Sequence, residues 1–211
     1  MKKYLILLLI IAGFTSISLP QGMQLGLKAG LNLANEGGSD VEDFFGESLD
    51  ARTGFNGGFF FMYQFNKMFA IQPEAYYTMK GATANLGGLD FTLKLDYIEV
   101  PVLLKLIIPV QGSNITPAIF VGPAVGFKTA AKIKGEYEGQ SAEEDIDSLV
   151  TSTDFSLIFG AGLGFMVGTN EVGVDVRYSL GLSSWDNISD DPVDVKNNVL
   201  SFNAYFGFNL Q

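Results

Sequence analysis

What most constrains this chain is a period-two alternation of apolar and polar residues, recurring in eight segments of a little over about ten residues each. A period of two sends successive side chains to opposite faces of a strand. In the first segment, MQLGLKAGLNLAN, Leu25, Leu27, Ala29, Leu31 and Leu33 share one face, and Gln24, Gly26, Lys28, Gly30 and Asn32 share the other. The second, near 54–65, sets Phe55, Phe59, Phe61 and Tyr63 against Asn56, Gly58 and Gln64. The third, near 68–80, sets Phe69, Ile71, Ala75, Tyr77 and Met79 against Gln72, Glu74, Tyr76, Thr78 and Lys80. The same pattern returns near 115–128, across 155–165 and 171–180, and near 198–210.

The remaining segment, near 91–108, is irregular. Phe91, Leu93, Leu95 and Tyr97 have one parity, while Val100, Val102, Leu104 and Leu106 have the other. That predicts a bulge or bend around Tyr97 to Glu99, which Pro101 also suits. The connections alternate in length. Asn66-Lys67, PVQGSN and Thr169-Asn170 are tight turns, whereas 35–53, 81–90, 129–153 and 183–197 are long. Short turns at one end and long loops at the other predict an all-β fold, an eight-stranded antiparallel up-and-down transmembrane β-barrel.

Alternation alone does not say which face meets lipid, since a soluble lipocalin-like barrel hides its apolar face inside. Here the apolar face is rich in Phe and Leu and carries no charge on seven of the eight segments. The polar face is crowded with Gly and other small residues, suited to a narrow interior. Up to six apolar positions in a row on one face match what a bilayer requires of a strand, about 9–11 residues. The reading is therefore apolar side outward, closed because lipid satisfies no open strand edge.

The first residues follow a different rule. Lys2 and Lys3, the apolar run Tyr4 to Phe14 and the small, polar TSISLPQG form a signal-peptide pattern, broken by Gly13 and Pro20 before it could span a bilayer. The expected division is a signal peptide over 1–22 and a barrel domain over 23–211.

Composition excludes several functions. The chain has no Cys and no His, which removes Ser-His and Cys-His catalysis and imidazole or thiolate metal sites. A net charge of -10 is the wrong sign for a nucleic-acid partner. The acids gather in the long connections, as Glu36, Asp40, Glu42, Asp43, Glu47 and Asp50 in the first and Glu136, Glu138, Glu143, Glu144, Asp145 and Asp147 in the third. The stretches Ser39 to Asp43 and Asp186 to Asp194 offer oxygen ligands for Ca²⁺ but lack EF-hand spacing, and solvated acidic loops account for them. A carboxylate pair such as Glu74 with Glu99 could in principle do acid–base work. They are read instead as luminal charges paired with Lys28, Lys80, Lys105 or Arg177, because an unpaired interior charge is costly. The GAGLGF segment (Gly160 to Phe165) lies within a strand pattern, without the strand-to-helix turn of a nucleotide-binding loop. No catalytic, cofactor-binding or metal-binding residue is assigned, and no cofactor is expected.

The segments AGLNLAN, IQPEAYYTMKG and LDYIEVPVLLK carry a family resemblance. Across the chain beyond the signal segment, the sequence resembles outer-membrane β-barrel domain proteins of the Bacteroidetes type (porin-family or PorT-like), and in architecture small OmpA- and OmpX-like barrels. It departs from other outer-membrane barrels in ending NLQ instead of on Phe, with Phe206 and Phe208 close by. The resemblance implies the Gram-negative outer membrane and the fold, and no shared activity. The expected role is structural or loop-mediated interaction without catalysis, by a monomer that contacts outer-membrane lipid and meets envelope or extracellular proteins through its acidic loops. The alternatives are a small-solute channel and a soluble ligand-binding barrel. An eight-stranded interior is just wide enough to be filled by side chains, which disfavours the channel.

Overall fold

The computed structural model describes residues 22–39, 49–86, 88–187 and 194–210. Ten strands lie among them: β1 (Met23–Gly37), β2 (Asp50–Gln64), β3 (Phe69–Lys80), β4 (Ala82–Leu86), β5 (Leu89–Ile107), β6 (Ile115–Tyr137), β7 (Gln140–Asp145), β8 (Thr153–Val167), β9 (Asn170–Gly181) and β10 (Lys196–Leu210). A single 3-10 turn, Asp147–Leu149, precedes β8. Eight strands close a ring in the order β1, β2, β3, β5, β6, β8, β9, β10 and back to β1. Every ladder is antiparallel. The seam runs from Met23↔Leu210 to Gly37↔Lys196 without interruption, so the ring has no open edge.

The faces follow the alternation. Leu27 is 62% exposed and Phe159 44%, while Asn32, Glu99 and Lys80 on the opposite face are almost completely covered. Along β1 the exposed apolar band runs from Leu25 to Leu33, the length that a tilted strand needs to cross hydrocarbon. Aromatic pairs lie toward both ends of the band, Phe55 with Tyr77 at one end and Phe206 with Phe208 at the other, as outer-membrane barrels place them. Glycine lets the strands carry large luminal side chains. A Cβ on Gly122 would meet the Val102 carbonyl oxygen at 2.0 Å, and one on Gly160 would meet the Val176 carbonyl at 2.3 Å and the Phe120 ring at 2.7 Å.

β5 and β6 are longer than the other strands, at 19 and 23 residues against 15 for β1. At about 3.3 Å per residue their ends rise well beyond the bilayer on the long-connection side. There they continue as a sheet of four strands, β4-β5-β6-β7. β4 also reaches β2 through Asp50↔Thr83 and Ala51↔Ala82. The sequence reading placed β4 and β7 in loops; they are strands.

The irregular segment needs a second correction. Leu93, Leu95, Tyr97, Glu99, Leu103, Lys105 and Ile107 are all buried, and Ile98, Val102 and Leu104 are exposed. β5 therefore keeps one parity throughout. The bulge exists but sits on its partner: Asp96 pairs with Ala130 and Tyr97 with Lys128, so Thr129 of β6 is the extra residue. Leu93, Leu95 and Tyr97 are apolar for another reason. They rise above the lipid band and line a dry cap with Ala131, Val150, Trp185 and Val195, against which Leu49 and Ile146 pack.

Candidate functional site

Two polar knots fill the lumen. In the first, Glu74 accepts from Lys28 at 2.8 Å, from Gln72 at 2.7 Å and from Arg177 at 2.7 and 3.2 Å. Asp175 lies 2.9 Å from Lys28 and accepts from Arg177 at 3.1 Å and from Asn203 at 2.7 Å. The Arg177 guanidinium also lies over Tyr76 and Phe120 at 5.9 and 5.3 Å. Two cations and two carboxylates balance, which makes burial of all four tolerable. In the second knot, Lys80 joins Glu99 at 3.2 Å to Asp154 at 3.0 Å. Ser156 donates to Glu99 and Asn197 to Asp154.

The carboxylate pair considered for acid–base chemistry is thus divided: Glu74 belongs to one knot and Glu99 to the other, each engaged by cations. Lys28, Lys80 and Arg177 pair as expected from the sequence. Lys105 does not: among the described residues it has no carboxylate within 4.0 Å, and its Nζ donates to Gln72 at 3.4 Å. Asp154 is a partner that the sequence reading missed. It lies at the start of a strand, beside a loop with many acids, where nothing in composition distinguishes it.

Beside Lys28, Lys105, Asp175 and Tyr205 a luminal void of about 10 Å³ remains, room for about one water. Gly160, Gly162 and Gly164 make close inward approaches within β8, and no helix follows them. Among the described residues, no group of three or more carboxylates is placed to hold a metal ion. The two stretches considered for Ca²⁺ lie largely outside the described residues (40–43 and 188–193), as do residues 1–21 of the expected signal segment.

Outside the barrel the sheet on the long-connection side is built on charge. Glu143 of β7 bridges Lys94 of β5 at 2.5 Å and Lys132 of β6 at 2.8 Å, and these two hydrogen bonds pull its carboxyl down to about 2. A two-residue turn, Glu138 at φ 48° and Gly139 at φ 79°, joins β6 to β7, the left-handed pair that a tight hairpin requires. The residues flanking this turn, Tyr137 and Gln140, face each other. Counting outward from them, Gln140, Ala142 and Glu144 bond to β6. The backbone N–H and C=O groups of Ser141, Glu143 and Asp145 therefore point away from the sheet. β7 pairs with β6 alone among the described residues, and all six of its residues are exposed.

Comparison with known proteins agrees with this architecture. A family model described as "Outer membrane protein beta-barrel domain" matches residues 16–187. The fold is similar to neisserial surface protein A (TM-score 0.52, 12% identity, covering 88% of this chain and 97% of that one). It is also similar to the outer membrane protein OprG of Pseudomonas aeruginosa (TM-score 0.50, 16% identity, covering 90% and 97%). No curated protein matches the chain at a significant level.

Proposed function

Given that the chain belongs to the outer membrane protein beta-barrel domain family and so resides in the Gram-negative outer membrane, we propose that it is a non-catalytic anchor. Its extracellular sheet pairs with an extended segment of a protein partner along β7. The open edge of β7 is the observation that carries this reading. The opposite side of the sheet is tied to the barrel through β4 and β2, which leaves one flank whose backbone groups are unpaired among the described residues. Such an edge is a template for strand addition. Glu144 and Asp145 on β7 favour a basic segment. The absence of His and Cys, together with luminal carboxylates already held by Lys28, Arg177 and Lys80, supports a role without catalysis. The filled lumen likewise favours anchoring over solute passage.

The test uses the purified barrel and an alternating Lys–Val peptide as a model basic strand. Amide exchange at Ser141, Glu143 and Asp145 should slow when the peptide is added. Ser141→Pro removes one outward N–H without touching the β6 ladder and should abolish that protection. Equal exchange with and without peptide would refute strand addition, and large, steady current steps in a planar bilayer would favour the channel.

A further inference from the structure

Among the described residues, the cap over the barrel mouth meets the carboxyl group of Glu36 through Trp185. Trp185 is the only tryptophan in the chain, and it is buried. Its backbone is tied to Val195 at 3.0 Å and to Thr151 at 2.8 Å, and its indole Nε1–H donates to Glu36 Oε2 at 2.6 Å. Glu36 lies three residues beyond Leu33, the last lipid-exposed apolar residue of β1, and so above the hydrocarbon. It faces Asn197 directly across the β1–β10 seam.

The hydrogen bonds around this pair lack a proton. Asn197 Nδ2 donates to Asp154 Oδ2 at 3.1 Å. Because a carboxylate only accepts, this fixes the amide orientation and turns Asn197 Oδ1 elsewhere. Asn197 Oδ1 and Glu36 Oε1 are buried without a hydrogen-bond donor among the described residues, and the Tyr97 hydroxyl lies beside Asn197. One phenolic proton cannot serve two orphan acceptors, and an ionised Glu36 brings no donor. The charges point the same way. Lys80 of β3 is already shared by Glu99 of β5 and Asp154 of β8. Arg52 of β2 is directed to the Lys80 carbonyl and Asp96, and Lys128 of β6 to Asp147 and the Val150 carbonyl. Asp186, beside Trp185 on the cap, is a further buried acid.

We propose that Glu36 is held as a neutral carboxylic acid whose proton supplies the missing donor, and that its ionisation releases the Trp185 cap from the barrel mouth. Burial, and to a lesser extent Asp154, push this carboxyl up to about 8 against the lowering effects of the indole bond and of Lys80. Ionised, it keeps the indole N–H and the field of Lys80 but pairs with no cation among the described residues, and water completes its solvation when the segment carrying Trp185 lifts. Because the folded value is raised, the latch is fully formed below the ordinary carboxylate value and is lost as pH rises through about 8.

The single tryptophan reports the event directly. In lipid vesicles, Trp185 emission should be blue and protected from a soluble quencher near pH 6, then become red-shifted and quenchable with a one-proton midpoint near 8. Glu36→Gln keeps an acceptor for the indole and adds a donor. It should stay capped across the same range, with its folding checked by heat-modifiable migration. The infrared difference between the native protein and Glu36→Gln should show a protonated carboxyl band under acidic conditions that vanishes under alkaline ones. A flat native profile, the same transition in Glu36→Gln, or no protonated band would each overturn the proposal.

Discussion

Replacing Glu74 with Ala tests the luminal packing most severely. Its side chain is 1% exposed and lies 2.8 Å from Lys28 and 2.7 Å from Arg177. Truncation leaves two buried cations sharing Asp175, with water confined to a void of about 10 Å³ nearby. Breaking a buried pair in this way costs about 3–5 kcal/mol, because the remaining charge has lost its compensation. The Glu74→Ala, Lys28→Ala double variant restores neutrality, leaving Arg177 on Asp175 at 3.1 Å. It should be more stable than Glu74→Ala despite losing a second side chain. The assay is urea unfolding in lipid vesicles, read by heat-modifiable migration, with both single variants and the double variant forming a cycle. A loss below about 1 kcal/mol for Glu74→Ala, or strictly additive losses, would mean that the knot is hydrated and the lumen is not packed as described.

Other perturbations probe the wall and the sheet. Phe159→Arg places a charge near the middle of the lipid face and should cost roughly 2–4 kcal/mol in the same unfolding assay, with smaller costs for Arg nearer the band ends. Gly122→Ala sets a methyl against the Val102 carbonyl, 2.0 Å from the ideal Cβ position, and should lower the yield of folded barrel whatever the charge of the residue introduced. Glu143→Gln removes the bridge between Lys94 and Lys132. It should speed amide exchange in the β6–β7 hairpin at low salt, with the difference from the native protein shrinking as salt screens the charges. The Glu143 carboxyl is depressed in the folded protein, so its contribution is present above the ordinary carboxylate range and is lost as pH falls through about 2.

Much of this was legible in the sequence because lipid imposes a rule that each strand must repeat. Leu25 to Leu33 and Val172 to Leu180 show it without exception, Phe155 to Phe165 departs from it only at the luminal Ile158, and the ring order and outward face follow from it. Legibility ends where the lipid does. β7, with the sequence QSAEED, has water on both sides and carries no alternation. β4 carries only ATANL. The apolar run at Leu93, Leu95 and Tyr97 suggested a change of parity because the reading assumed lipid outside; above the bilayer the same residues face inward beneath Trp185. The luminal charges were identifiable as a set, since strands place them all on the polar face. Their partition into two knots was not, because it depends on the stagger between strands distant in sequence. Glu36 and Asp154 looked like loop-end acids, and only the seam register sets Glu36 against Asn197.

The central claim is that the exposed apolar face meets hydrocarbon and the polar face is sealed inside. The absence of native Cys allows single cysteines to be labelled without background. Leu163 is exposed on β8 and Ser179 is buried on β9, and Ser179→Cys changes little in size. In vesicles, Leu163→Cys should react with a lipid-phase probe and resist a water-soluble one, whereas Ser179→Cys should react with neither while the barrel is folded. Rapid water-phase labelling at Ser179→Cys, with Leu163→Cys shielded from the lipid probe, would contradict the account.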